Sequence, residues 1–311
     1  MLETVIFSLI KGLSFSIKKK LIDENKCPKK ALANLKKSLI GVSSKTGFKI
    51  LNQINSNSIL AKAEKIVQDC IENDIQIIPY WNGFYPKDLM HCIDAPFLIY
   101  MKGKKNPNNQ NLISIVGTRN CTDYGLKEVK RILKYLKPYP IGIVSGLAYG
   151  IDIYTHRTAN EFDIVNYAVL GSGINNIYPK KHLKESEKIM ENGMLISEYT
   201  PNEGPRTYHF PRRNRIIAGV SKCTIVIESK KTGGAMITGR LANDYSRDVF
   251  AVPGNNHQEY SSGSNLLIQR HQATILNHPE QIIEALNIKR VENKTTLIHN
   301  KKNLSKEEEL V

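Results

Sequence analysis

Within 311 residues the sequence has one tryptophan, five cysteines and an aromatic fraction of only 7%. Cys27, Cys70, Cys92, Cys121 and Cys223 are odd in number and widely scattered, and no two stand at C-x-x-C spacing. His91 beside Cys92 has no further ligand nearby, so neither a zinc site nor a disulfide framework is expected, and no metal or cofactor is implied. Such cysteine usage suits a cytoplasmic protein. Long apolar runs are missing too, and none approaches the length that spans a bilayer. The opening MLETVIFSLIKGLSFSIKKK imitates a signal peptide, but Glu3 precedes its apolar stretch, lysines follow it, and no small-residue cleavage site comes after. No membrane partner is expected.

Acidic residues are also in deficit. There are 29 Asp and Glu against 44 Lys and Arg, a formal charge of +15. Residues 1–50 hold eleven lysines against three acidic residues, which is +8 and more than half of the surplus. A surplus of this kind suits a polyanionic partner, nucleic acid before anionic membrane. A lysine-rich, AT-biased proteome would produce the same number. The 41% hydrophobic fraction is ordinary and excludes general disorder.

Residues 1–75 read as short amphipathic helices, with apolar residues recurring every three or four positions in ETVIFSLI, FSIKKKLIDE, KTGFKILNQI and SILAKAEKIVQDCIEND. A bridging segment, 76–111, carries prolines at 79, 86 and 96 and ends in the polar cluster GKKNPNNQN. From residue 112 the texture changes. The apolar runs LISIVG, IGIVSG, NYAVLG, MLISEY, CTIVIES and DVFAVPG alternate with helical stretches such as YGLKEVKRILKYLK and GGAMITGRLANDYSR. That alternation means a parallel sheet covered on both faces, an α/β doubly wound core over 112–288. The polar tail 289–311 ends in LSKEEELV, which reads as a capped helix start.

Glycines close these strands: Gly117, Gly146, Gly171 and Gly173, then Gly233 and Gly234. In an open α/β sheet the carboxyl ends of the strands form the ligand crevice, and helix starts beside them offer N–H groups to phosphate. Each glycine taken singly needs no more explanation than a tight turn; several loops converging make an anion site. A nicotinamide fingerprint is absent, because GSGINN lacks the third glycine and follows the third strand of the unit. P-loop, G-x-S-x-G and H-E-x-x-H patterns are absent as well. Asp152 and His156 stand one helical turn apart, and Glu198 and Glu228 end strands, but an i,i+4 Asp–His pair is more often a structural contact than a catalytic dyad. No catalytic residue is assigned.

FPRRNRIIAG, from residue 210, precedes the strand CTIVIES, so its helix is expected to begin at the same crevice. Arg119, Arg213 and Arg215 around the glycine loops would then hold a phosphodiester with fork-shaped donors. One of the three, and not all, is expected to pair internally with Glu198 or Glu228.

In order along the chain, SIVGTRNCTDYG, VSGLAYGIDIYTHRTA, VLGSGINNIYP, SEYTPNEGPRTYHFPRRNRIIAGVS and GGAMITGRLANDYSRDVFAVPG resemble the DprA (Smf) family of DNA-processing proteins. The resemblance runs from about residue 113 to 273. It implies an extended Rossmann-like, mainly parallel core that binds single-stranded DNA without hydrolysing it. It also implies a small N-terminal domain of the sterile-alpha-motif or helix-hairpin-helix kind. The implied role is to displace single-strand-binding protein and load RecA recombinase during natural transformation. Carried over by position, the DNA contacts would be Gly117, Arg119, Ser145, Gly146, Arg213, Asn214 and Arg215, with Lys231 beside Gly233 and Gly234 as a phosphate contact. Arg212 falls on a variable position. The family's usual Ser-Gly is Gly233-Gly234 here, which removes a hydroxyl, and many members end in a winged helix, which LSKEEELV would begin. A homodimer is expected through SNLLIQRHQ and EQIIEALNI, with Leu266, Leu267 and Ile282 as candidates, unless both stripes pack on their own sheet. The rival class is a nucleotide-processing phosphoribohydrolase, but T-G-G-A-M-I-T-G-R lacks that enzyme's following Gly-Thr and its glutamate.

Overall fold

The computed structural model describes residues 1–40 and 44–290, so the LSKEEELV segment read as a helix start lies outside the described residues. Five helices open the chain: α1 (Leu2–Leu9), α2 (Phe15–Asn25), α3 (Pro28–Leu39), α4 (Lys45–Ile54) and α5 (Asn57–Glu72). Ser14 and Ser44 cap α2 and α4 by accepting the N–H of Ile17 and Gly47. Helix α3 starts with proline at its first position and carries Lys36 and Lys37 in its last turn, where the dipole favours them. Its buried face is only Ala31 and Leu35. Lysine dilutes its periodicity, so it has no counterpart among the helices expected from sequence.

The rest is one nine-stranded sheet: β1 (Gln76–Pro79), β2 (Leu98–Gly103), β3 (Asn111–Val116), β4 (Ile141–Ser145), β5 (Val165–Val169), β6 (Gly193–Ser197), β7 (Cys223–Val226), β8 (Asp248–Ala251) and β9 (Thr274–Ile275). The order is β1-β2-β6-β5-β4-β3-β7-β8-β9. Strands β3 to β9 pair in parallel, whereas β1 and β2 are antiparallel additions at one edge. All six expected apolar runs are strands, and the α/β doubly wound class is what the chain adopts. On the way it forms α6 (Lys87–Met90), α7 (Asp123–Leu136), α8 (Ile151–Glu161), α9 (Leu183–Glu191), α10 (His209–Val220), α11 (Gly234–Asp244), α12 (Ser262–Gln269) and α13 (Glu280–Leu286). One face of the sheet is covered by Ile132, Leu133 and Ile282, from α7 and α13; the other by Ile189, Ile216 and Met236, from α9, α10 and α11.

From β3 the chain winds outward through β4, β5 and β6, then returns to the other side of β3 and continues through β7, β8 and β9. The loops after β3 and β7 therefore leave in opposite directions and open a crevice at the switch point. Ser114 and Thr224 share a buried 2.8 Å hydroxyl contact that fastens these two strands.

Residues 76–111 do more than bridge. They supply two strands, and Ile99 and Met101 are fully buried among the core residues. Pro79 hides β1, and β2, whose LIYM run is as apolar as those of the core, lies before the alternation of strands with helices that marked the sheet. The N-terminal helices dock on the same segment, where Phe7 and Phe97 approach to 5.4 Å and the Tyr80 hydroxyl donates to Asp23 at 2.8 Å. The stripes considered for a dimer are used internally: Leu267 and Ile282 are fully buried, and Leu266 packs half-buried against the core.

If the bridging segment belongs to the core, Met101→Ala should lower the unfolding free energy by about 2–5 kcal/mol in urea titration. A loss below about 0.5 kcal/mol would mean that β2 is peripheral.

Candidate nucleic-acid interface

The switch-point crevice encloses about 500 Å³ and is lined by Gly117, Thr118 and Arg119 after β3, Ala148 and Asp152 after β4, and Lys230, Gly233 and Gly234 after β7; Gly171 and Gly173, expected there too, do not line it, for they pack under Phe210 and against the Thr200–Pro201 backbone. Three helices begin here. Among α8, α10 and α11 no N-terminus carries a side-chain cap, and although backbone carbonyls take the N–H groups of Ile151, Ile153, His209 and Met236, the positive dipole ends face the crevice. Asp152 already occupies the first turn of α8, which leaves α10 and α11 for an incoming anion.

The arginines divide. Arg119 is exposed, makes no ion pair among the described residues, and holds its guanidinium 5.8 Å from the centre of the Phe210 ring. Arg213 also lines the crevice but is 3% exposed. Its Nη1 donates to Gly146 O at 2.6 Å and to Val169 O, and its Nε donates to Asn214 Oδ1 at 3.2 Å. Burial lowers its pKa, with Asp152 as the opposing charge. Arg215, expected in the same crevice, is turned away: it donates to Glu198 Oε2 at 2.5 Å and to Asp94 O. The reason is helical phase. All three of Arg212, Arg213 and Arg215 lie inside α10, where residues two apart point about 200° from each other.

Several other residues expected at the crevice serve as framework. Ser145 is fully buried, its hydroxyl donating to Ile115 O at 2.7 Å. Gly146 gives Arg213 its seat, since a Cβ there would lie 2.4 Å from both terminal guanidinium nitrogens. Asn214 faces the crevice and donates to Gly234 O at 3.2 Å, tying α10 to α11. Lys231 is exposed outside the crevice; its neighbour Lys230 lines it, 2.7 Å from Glu259 and 5.1 Å from the Tyr260 ring. Gly234 has open space where a side chain would be.

Each candidate acid or base has an internal partner, although Glu198, held by Arg215 through Oε2, keeps a buried Oε1 without one among the described residues. Glu228 accepts from the Thr122 hydroxyl at 2.6 Å and its N–H at 2.9 Å, which places a carboxylate on the α7 N-terminus. Asp152 and His156 do not pair. Burial raises the Asp152 carboxyl against the pull of Arg213. His156 Nδ1 donates to Asn166 Oδ1 at 2.6 Å, and its Nε2 accepts the Leu147 N–H at 3.3 Å. His182 Nδ1 donates to Leu147 O at 2.8 Å. The two histidines thus hold Leu147 at φ 55, a left-handed conformation that leucine rarely adopts.

Sequence reasoning passed over Phe210 and Tyr178, whose rings approach to 5.5 Å on the crevice wall. Phe210 stands two residues before the arginine cluster, and that position at a helix start was the available signal.

Residues 76–287 match the family model of DNA recombination-mediator protein A. The chain belongs to the DprA/Smf family. Among curated DprA/Smf relatives, Protein Smf of Escherichia coli is 36% identical over 68% of this chain and 56% of its own length. DNA processing protein DprA of Bacillus subtilis is 35% identical over 72% of this chain and 76% of its own. The solved DprA of Streptococcus pneumoniae superimposes with a TM-score of 0.79 at 28% identity, covering 91% of this chain and 97% of that one, N-terminal helices included. DNA processing protein A of Helicobacter pylori, solved for its single-stranded DNA binding mode, gives 0.60 at 27% identity over 65% of this chain and 92% of that one. At Gly233, where this chain departs from the DprA pattern, a Cβ would lie 2.3 Å from Ser229 Oγ, which donates to Lys230 O at 2.9 Å.

Burial presses the His156 pKa from 6.5 down to about 4. The unfolded chain binds this proton first, so the stability due to a neutral His156 is complete above pH 6.5 and is lost as pH falls through 4. The loss amounts to about 3 kcal/mol, and His156→Gln should remove that part of the pH dependence. Comparing the two proteins cancels Asp152, which titrates in the opposite sense. An unchanged pH slope in His156→Gln would contradict the assignment.

Proposed function

We propose that this chain is a single-stranded DNA-binding recombination mediator of the cytoplasm, a binding protein and not an enzyme. In natural transformation it would protect incoming strands, displace single-strand-binding protein and load RecA recombinase. The observation that carries this reading is Arg119, a guanidinium with no ion pair among the described residues, beside Phe210 at the mouth of a crevice floored by helix N-termini. Phosphate meets Arg119, Lys230 and the first-turn amides of α11 past Gly233 and Gly234, with Gly117 and Asn214 shaping the wall. Phe210 and Tyr178 offer faces on which bases stack. A duplex keeps its bases inside and cannot use those rings, so the site favours single strands. The family membership and the Helicobacter pylori structure's single-stranded DNA binding mode support the same reading. Non-enzymatic action is supported by the commitment of Asp152, His156, Glu198 and Glu228 to internal partners. Arg213, Arg215, Ser145 and Gly146 support the site from within, and Lys231 adds charge at its rim. A homodimer would use the open edge at β9, where Ile275 is 38% exposed.

Arg119→Ala should weaken single-stranded DNA binding by about 1–3 kcal/mol and leave the melting temperature unchanged. In fluorescence anisotropy across a salt series, the slope of log affinity against log salt should flatten by roughly 0.7. Duplex DNA should bind more weakly than single strands throughout. Wild-type affinity and slope in Arg119→Ala, or equal binding of both DNA forms, would refute the reading.

A further inference from the structure

A larger cleft, of about 1050 Å³, opens between the N-terminal helices and the sheet. One wall comes from residues 8–18 with Lys62, the other from the loop 93–98 and from residues between 198 and 215. Pro211 and Ile237 line both this cleft and the crevice. The two cavities therefore meet across the first turn of α10, with Phe210 and Arg213 on the crevice side and Tyr208 and Arg212 on the cleft side.

The unspent charge of the cleft is positive. Lys11, Lys62 and Arg206 are exposed along it and make no ion pair among the described residues. Arg212, 60% exposed, stands 3.5 Å from Glu198, a carboxylate that Arg215 already holds at 2.5 Å. The remaining acids are engaged: Asp94 accepts from the Tyr245 hydroxyl at 2.5 Å, and Glu203 lies 3.3 Å from Thr200 Oγ1 and 3.6 Å from His209 Nε2. Tyr208 adds a ring that is 58% exposed, its hydroxyl accepting from Arg206 Nη1 at 3.2 Å. Cations aligned along a groove with a free aromatic face are what a single-stranded polynucleotide requires.

We infer that the cleft is a second subsite for single-stranded nucleic acid, continuous with the crevice. A strand leaving the crevice passes over Pro211 and runs between the helical module and the sheet. Its phosphates lie against Lys11, Lys62 and Arg206, and a base stacks on Tyr208. The inference rests on the crevice binding single-stranded DNA, and it gives the lysine-rich helical module a direct part in that binding.

Two thymidine oligonucleotides separate the subsites: one of about six nucleotides, enough for the crevice, and one of about twenty, enough for both. Titrated against the full chain over a salt series, the longer strand should show the steeper salt slope. A Lys11→Ala, Lys62→Ala, Arg206→Ala triple variant should lower the slope for the longer strand by roughly 2 and its affinity by about tenfold or more, while sparing the shorter strand. The longer strand alone should protect Lys11 and Lys62 from amine acylation in the wild-type chain, a readout that needs no variant. An unchanged slope for the longer strand, equal loss for both lengths, or better protection by an acidic peptide would each overturn the cleft assignment. Arg119→Ala should weaken both lengths. If it weakens neither while the triple variant still weakens the longer strand, the crevice reading falls and the continuous path with it, leaving the cleft as a strand site of its own.

Discussion

A buried guanidinium organises the ligand end of this sheet. Arg213 reaches from α10 to the backbone carbonyls at the ends of β4 and β5, with Asp152 of α8 as its counter-charge. Taking a cation out of water costs several kcal/mol unless its donors are satisfied, and here they are satisfied by groups that must stay in register for the crevice to exist. The bracket also sets the loop after β4. Gly146 lies under the guanidinium, and Leu147 follows in a left-handed conformation fastened by His156 and His182. Loop shape at the crevice is therefore a property of the core.

That arrangement divides labour among like residues. Arg215 neutralises Glu198 beneath the cleft, Arg213 braces strand ends, and Arg119 is left over, with a ring for company and no carboxylate among the described residues. A guanidinium without a partner at a site built of helix N-termini is a standing invitation to phosphate. A paired one offers much less, because an incoming anion must first compete with the existing partner.

Much of the fold was legible because the central strands are buried on both faces and so appear as unbroken apolar runs ended by glycine. The edges were not. Strand β1 includes Pro79, β2 lies before the alternation of strands with helices, β9 has only two residues, and the lysines of α3 mask its apolar face. At the site, the place was legible and the partners were not. FPRRNR marks a helix start at the crevice, but sequence spacing alone does not say that the helix already includes the arginines. Once it does, phase sends Arg213 and Arg215 to opposite sides. Likewise, Glu228 and Asp152 have the composition of catalytic acids, and only their neighbours reveal a helix cap and a counter-ion.

The central claim is that Arg213 is a bracket within the fold and not itself the phosphate contact. Urea unfolding of Arg213→Lys tests it, because lysine keeps the charge but loses the Nε donor to Asn214 and the planar fork that lies over Gly146. Unfolding free energy lower than wild type by about 2 kcal/mol or more is the predicted result. Wild-type stability combined with lost single-stranded DNA binding would contradict it and make Arg213 a direct contact.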